Sequence, residues 1–433
     1  LQSGRRLARG YLCAILLWLV IALAGCGAGN TGSTELAFIR GSTLLTMQPS
    51  GTNTFQVTTG GVSGFAWSPD HHQFVVRYAA VSVLPTIANP LLATYPDMPA
   101  GMGVVSIDGG NIIPITPPTN FLTRSDAWWD ASGNRLFYRE QLATTPTISS
   151  QWILSQSDQP NGIARKVVAQ SESIPTSAPD GTQIATMLAD GALVLGAPLA
   201  TPHIVQQGGL VTLPSGMPAR PLWQPGHTAI LYATASNDAH TTTLALTDLA
   251  GHTRQLTSAS DLLQYSWSPD GKSVLMLTTT GFAIVSVDGK SISRWEEHDP
   301  AALAWWSPDS RTLITADRAG LALIDAATGK VAPVVVITTA SNPAPLPMPT
   351  HPITGSPWSV DGGQFAFVAT GGLWLNGKDT TLGTPLATQH TAGSGLYVVT
   401  RSALGVAPHL VDWGEHTAFS WSTPDPNTQF VTS

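Results

Sequence analysis

One short motif recurs along the chain, and its spacing restricts the fold more than any other feature. Trp67-Ser68-Pro69-Asp70, Trp267-Ser268-Pro269-Asp270-Gly271 and Trp306-Ser307-Pro308-Asp309 are near-identical. Trp129-Asp130-Ala131-Ser132-Gly133 and Trp358-Ser359-Val360-Asp361-Gly362 are looser copies. Trp223-Gln224-Pro225-Gly226 keeps the Trp and Pro, and Ser177-Ala178-Pro179-Asp180-Gly181 keeps the turn without the Trp. The last copy, Trp421-Ser422-Thr423-Pro424-Asp425, carries one extra residue. Successive copies start 62, 48, 46, 44, 39, 52 and 63 residues apart. A period in the forties is that of a propeller blade or a similar array.

Each copy has the same surroundings. A β-type run follows the motif, as in Gln73-Phe74-Val75-Val76, Ser273-Val274-Leu275-Met276 and Gln364-Phe365-Ala366-Phe367. A second run ends in an acidic turn, as in Ala283-Ile284-Val285-Ser286-Val287-Asp288-Gly289, and a third such as Arg254-Gln255-Leu256-Thr257 closes the unit. With the Trp strand, that makes four strands per repeat. In Ser-Pro-Asp-Gly, Pro presets φ at the second turn position, Asp caps the backbone with its carboxylate and Gly takes the last place. Seven of the 14 tryptophans precede this turn, a packing pattern in which each indole is a plate between neighbouring sheets. A carboxylate that recurs in six of the eight copies (Asp70, Asp180, Asp270, Asp309, Asp361, Asp425) reads as a turn cap rather than a catalytic group.

Composition agrees. Gly (41) and Pro (33) are abundant enough to favour turns and short strands over long helices. Charged residues are only 11%, and the net charge of −7 argues against a nucleic-acid partner, which needs a basic surface. Two cysteines, Cys13 and Cys26, exclude a disulfide scaffold and a Cys-based zinc site. His71-His72, the one adjacent pair among 11 histidines, falls on a turn beside Asp70, where solvated side chains are expected rather than metal ligands. No metal site and no cofactor are expected.

The repeats resemble the TolB-type β-propeller repeat, a relative of the WD-type blade, over residues 35–433. The resemblance rests on Trp-Ser-Pro-Asp-Gly, on the strand ending in Asp-x-x-Gly and on Arg-Gln-Leu-Thr. It implies an all-β propeller of four-stranded blades. Counting Trp-type strands gives eight blades, with seven as the alternative because Ser177 is weak and 389–418 reads as irregular. Glu35-Leu36-Ala37-Phe38-Ile39 starts in mid-unit and Phe419-Ser420-Trp421 ends in mid-unit, so the two are expected to share a blade and close the ring. Residues 428–432 compete with 35–39 for that slot.

The first thirty residues read as an address. Arg5, Arg6 and Arg9 precede an apolar run of about 14 residues, short of the ~20 a spanning helix needs. The run ends Leu23-Ala24-Gly25-Cys26, which resembles the bacterial lipobox and implies lipidation of Cys26. Residues 1–25 are then a signal peptide, 26–34 a flexible tether and 35–433 one propeller domain, exported and anchored on the extracytoplasmic side. Removing three arginines leaves 17 basic against 27 acidic residues, a net charge of −10.

Candidate chemistries are weak by comparison. Propellers of the prolyl-oligopeptidase type accompany a hydrolase domain with a G-x-S-x-G elbow, and Gly61-Val62-Ser63-Gly64 has the wrong spacing. Asp325-Ala326-Ala327-Thr328-Gly329-Lys330 matches the quinoprotein run once, where those enzymes repeat it, so a hairpin turn is expected. No catalytic residue is assigned. The reading is a non-enzymatic binding or scaffold module, probed against the alternative of a lyase or hydrolase working in the central channel. A monomer is expected, with a protein or envelope ligand on the face that carries the long connections 79–101, 117–126, 339–357 and 389–393. Leu84, Ile87, Leu91, Leu92 and Tyr95 are the candidate contacts, since apolar side chains are costly on a purely solvated loop.

Overall fold

The turn chemistry of the motif builds the local unit. At Gly271 (φ +66), Gly362 (φ +65) and Gly226 (φ +69) the last turn position is left-handed, and His71 and Ser310 adopt the same conformation at φ 60° and 59°. A turn that ends in this way sets the strands on either side of it antiparallel. The computed structural model describes residues 35–432 apart from 80–99, 117–121, 143–150, 157–163, 171–175, 208–210, 212–218, 236–240, 297–302, 337–356, 380–393, 402–407, 423–430 and several gaps of up to three residues.

Among those residues the chain is all-β, with no α-helix, and its architecture is that of a β-propeller. Sheet 1 holds Leu36–Arg40, Thr43–Met47 and Phe55–Gln56, and His416–Trp421 pairs with the first of these, Leu36 opposite Trp421 and Phe38 opposite Phe419. Sheet 2 runs Val62–Trp67, Gln73–Ala79, Ala100–Ser106 and Ile113–Thr116, with Val431–Thr432 added as a fifth strand. Sheet 3 is Leu122–Trp129, Arg135–Leu142, Gln151–Gln156 and Ala164–Gln170, and sheet 4 is Thr176–Ser177, Ile184–Met187, Leu193–Gly196 and His203–Gln206. Sheet 5 is Leu222–Trp223, Ile230–Ala235, Thr241–Thr247 and Thr253–Ser260. Sheet 6 is Leu262–Trp267, Ser273–Thr278, Gly281–Ser286 and Ile292–Glu296. Sheet 7 is Leu303–Trp306, Thr312–Asp317, Gly320–Asp325 and Val331–Val336. Sheet 8 is Gln364–Thr370, Ser394–Thr400 and His409–Trp413, with Trp358 bridging Phe365.

The core lies between sheets. Every motif Trp is buried, in an apolar cluster shared by its own sheet and the sheet before it. Trp267 meets Leu231, Leu244 and Leu256 of sheet 5. Trp306 meets Leu275, Leu277 and Phe282 of sheet 6, and Trp358 meets Ile314, Leu323 and Val334 of sheet 7. Trp421 packs with Leu396 and Val398 of sheet 8, and Trp67 with Ile39 and Leu44 of sheet 1. Trp129 and Trp223 do the same against sheets 2 and 4. Sheet 4 carries Ser177 in place of the Trp, and between sheets 3 and 4 no such cluster occurs among the described residues.

Three expectations change. Residues 389–418 contain two regular strands, 394–400 and 409–413, because Leu396, Tyr397, Val398 and Val399 are all buried against neighbouring sheets. The slot beside His416–Trp421, for which 428–432 and 35–39 were expected to compete, is filled by Leu36–Arg40, and Val431–Thr432 pairs with sheet 2 instead. The long connections are shorter than read, since Ala79 pairs with Ala100 and the strand Leu122–Trp129 takes in Asp126.

Candidate functional site

The recurring carboxylates build their own turns. Ser268 Oγ donates to Asp270 Oδ1 at 2.7 Å, Lys272 N–H donates to the same oxygen at 3.1 Å, and Ser273 N–H donates to Ser268 Oγ at 2.9 Å. Asp70, Asp309 and Asp361 repeat the arrangement, with Ser–Asp distances of 2.6, 2.5 and 2.7 Å. Asp325 works similarly in its hairpin, accepting from Thr328 N–H at 2.8 Å and Thr328 Oγ1 at 2.7 Å. Pro69, Pro269 and Pro308 sit in these turns, whereas Pro179, Asp180, Pro424 and Asp425 lie outside the described residues.

These contacts hold the carboxyls below the ordinary range. At Asp70, Asp270 and Asp309 partial burial pushes upward, but the serine hydroxyl and the backbone N–H two residues on outweigh it. At Asp361 the Ser359 hydroxyl and the Gly363 N–H dominate. A carboxyl with a lowered folded-state pKa stabilises above its unfolded value, and the gain is lost as pH falls through the lowered one. The denaturation midpoint is therefore expected to fall progressively below about pH 4. Asp270→Asn should reduce stability at neutral pH and flatten that acid limb; an unchanged limb in urea titrations across pH 2–7 would contradict the assignment.

The indoles are fastened in the same way. Trp223 Nε1 donates to Thr176 O at 2.9 Å, Trp267 Nε1 to Leu222 O at 3.1 Å, Trp421 Nε1 to Pro357 O at 2.7 Å and Trp67 Nε1 to Ser420 O at 3.3 Å. In every case the acceptor is the residue just before the motif position of the preceding sheet. Trp129 and Trp306 have no Nε1 partner among the described residues. Beside the turns, Asp270 N–H donates to Ser310 Oγ at 3.0 Å and Arg401 pairs with Asp309 at 2.8 Å, linking adjacent sheets.

Glu35, the first described residue, and the last motif copy meet in the same geometry. Ser422 N–H donates to Glu35 O at 2.8 Å and Glu35 N–H to Ser422 Oγ at 2.9 Å, the pairing that Ser268 makes with Ser273 inside one hairpin. Burial raises the Glu35 carboxyl pKa, against the opposing pull of His71 and with the help of Asp108. His71 is not fully solvated: its ring stands edge-on to Trp67 at 5.9 Å, while His72 is exposed.

One side-chain cluster escaped the sequence reading. Arg40 Nη1 lies 2.5 and 2.7 Å from the two Asp412 oxygens, and His416 Nε2 is 2.7 Å from Asp412 Oδ2. His416 is buried with its ring 5.4 Å from Phe38. The cluster joins sheets 1 and 8 on the side away from the motif turns. Its partners are 372 residues apart, so no local pattern could have found it. Asp412→Ala is expected to cost about 1.5–3 kcal/mol, the range for hydrogen bonds to charged groups. Arg40→Ala should cost less, because its side chain is 40% exposed. Equal urea midpoints for Asp412→Ala and the parent would remove its structural role.

Cys26 and the loop residues Leu84, Ile87, Leu91, Leu92 and Tyr95 lie outside the described residues. Among the described residues no group of three or more His, Cys, Asp or Glu is placed to hold a metal ion. No family model and no curated protein matches the chain. Among solved structures, a eukaryotic initiation factor aligns at TM-score 0.51 and 12% identity over 91% of this chain and 99% of that one. An oligogalacturonate lyase in complex with manganese aligns at TM-score 0.46 and 12% identity, over 67% and 81% of the two chains. TolB from Acinetobacter baumannii aligns at 0.35 and 13%, over 76% and 80%. At these identities the likeness is one of fold alone.

Proposed function

We propose that the chain is a lipid-anchored, extracytoplasmic β-propeller of eight blades, closed into a ring, that serves as a binding or scaffold module. The observation that carries the binding role is the engagement of the recurring carboxylates: each described one is hydrogen-bonded within its own turn. The repeat therefore spends its polar chemistry on the scaffold. Ring closure is supported by Leu36–Arg40 pairing with His416–Trp421, and by the clusters joining sheet 8 to sheet 1 and sheet 1 to sheet 2. The anchor rests on Leu23-Ala24-Gly25-Cys26 after the apolar run.

In an antiparallel blade, the motif turns and the acidic turns share one face. Ala79 and Ala100 pair at the other end of their strands, on the face away from the motif turn. The partner docks there, on the face that holds 79–101 and 339–357. Cys26→Ala should move the protein from the membrane fraction to soluble or uncleaved fractions, while the parent carries a diacylated or triacylated Cys26, since one chain binds only reversibly. An unmodified N-terminus downstream of Cys26 in intact-mass analysis would remove the anchor. Replacing 83–95 by a Gly/Ser linker should abolish partner capture at an unchanged melting temperature; retained capture would move the docking face.

A further inference from the structure

The chain enters the propeller on the face of the motif turns. Leu36 lies opposite both Trp421 and Met47, and Glu35 N–H donates to Ser422 Oγ of the last motif copy at 2.9 Å. Glu35 also feels the charges of His71 and Asp108, in the motif turn and the acidic turn of sheet 2. The large apolar side chains left exposed among the described residues are Phe55, Ile113, Ile204, Leu249, Val331 and Val360, each 36–56% accessible. They fall one to a sheet, in sheets 1, 2, 4, 5, 7 and 8, and all lie at this same face. Leu249 and Val360 sit in the turns themselves. Phe55, Ile113 and Val331 open an outermost strand at its turn end, and Ile204 is second in one. Single exposed apolar residues are ordinary, but a rim of them on one face marks an interaction surface.

We propose that this rim rests on a lipid surface, so that the motif-turn face lies against the bilayer interface and the long-loop face points away from it. The proposal rests on the anchor argued above and adds which side of the propeller meets lipid. Two observations name lipid as the occupant. Residues 27–34 link Cys26 to Glu35. As a flexible chain they span about 15–18 Å on average, and about 30 Å at full stretch. A six-residue strand such as Gly281–Ser286 is about 20 Å long. The tether therefore brings the face bearing Glu35 to the membrane; presenting the opposite face would make it climb the height of a blade as well. The second observation is charge. Asp70, Asp270, Asp309, Asp325 and Asp361 are bonded within their own turns, and Lys272, Lys290, Arg311 and Lys330 stand exposed on the same turns. Interspersed charges of both signs suit a zwitterionic surface, where long basic side chains reach the headgroups while apolar ones dip below them.

The test uses the full chain, exported and acylated by the cell, in phosphatidylcholine vesicles that contain a headgroup spin-labelled lipid. A fluorescent dye is placed on Lys290→Cys, at the turn face of sheet 6, or on Thr280→Cys, at the other end of the same sheet. An acylated Cys26 has no free thiol to take the dye. With the two positions about 20 Å apart, quenching at 290 is expected to exceed that at 280 about fivefold. Ile113→Ser, Ile204→Ser and Val331→Ser in one chain should bring the two within about twofold, because a flexible tether without the apolar rim does not hold an orientation. Equal quenching at the two positions in the parent, stronger quenching at 280, or a contrast that survives the triple substitution would overturn the proposal and leave the rim to a protein partner. Shielding at 290 that grows with protein density in the vesicles, and not with lipid, would overturn it in favour of a second copy. Intact mass reads the anchor separately. An acylated chain without the contrast fails the face alone, whereas an unmodified Cys26 removes the anchor and the proposal with it.

Discussion

Trp421→Ala is expected to destabilise the protein by about 3–5 kcal/mol, the range for truncating a buried aromatic. The side chain is fully buried among Leu36, Phe38, Met47, Leu396 and Val398, and its indole N–H is bonded to Pro357 O. Its strand also supplies the partner for Leu36–Arg40, which no other described segment replaces. With an unfolding entropy of about 2.1 cal/mol/K per residue over a domain of this length, each kcal/mol is worth roughly 1 °C, and the melting temperature should drop by about 4–6 °C. Deleting 419–433 goes further, removing Trp421 together with the Ser422–Glu35 clasp, and should abolish a single cooperative transition. A deletion that melts cooperatively at the parent temperature would show that sheets 8 and 1 need no joint.

The second large effect separates packing from hydrogen bonding. Trp223→Ala should also cost about 3–5 kcal/mol, for the same cavity reason. Trp223→Phe keeps most of the apolar plate but strips Thr176 O of its donor, which should cost about 1–3 kcal/mol. Trp306 supplies the control, since its Nε1 has no partner among the described residues. Trp306→Phe should be nearly neutral while Trp306→Ala is not. The measurement is the urea midpoint of all four variants. Equal losses for the two Phe variants would mean that the cross-sheet bonds contribute nothing.

The motif made the repeat, the turns and the packing role of its tryptophans legible, because Ser, Pro, Asp and Gly act on neighbours a few residues away. Asp270, for example, is satisfied by Ser268 and Lys272. Sheet 8 was harder to read. Its first two strands, Gln364–Thr370 and Ser394–Thr400, are separated by 371–393, so the usual hairpin spacing is lost. Arg40, Asp412 and His416 meet only because the fold brings distant strands together. The Val431–Thr432 strand is too short for any alternation to register. Remote pairing was legible only where half a repeat at each end called for its complement, as with Glu35–Ile39 and Phe419–Trp421; elsewhere it leaves no local signal.

The clasp between Glu35 and Ser422 also sets a timetable for biogenesis. The two residues are 387 apart, so at ~5–20 residues per second the first is made roughly 20–80 s before its partner. Throughout that interval Leu36 and Phe38 belong to a strand with one open edge and no opposing plate. An open apolar edge that must wait for a distant mate is slow to pair and prone to the wrong one. Nascent chains of this protein therefore need shielding at their earliest strand, and a circular permutant that places His416–Trp421 directly before Leu36–Arg40 should fold with less aggregation than the natural order.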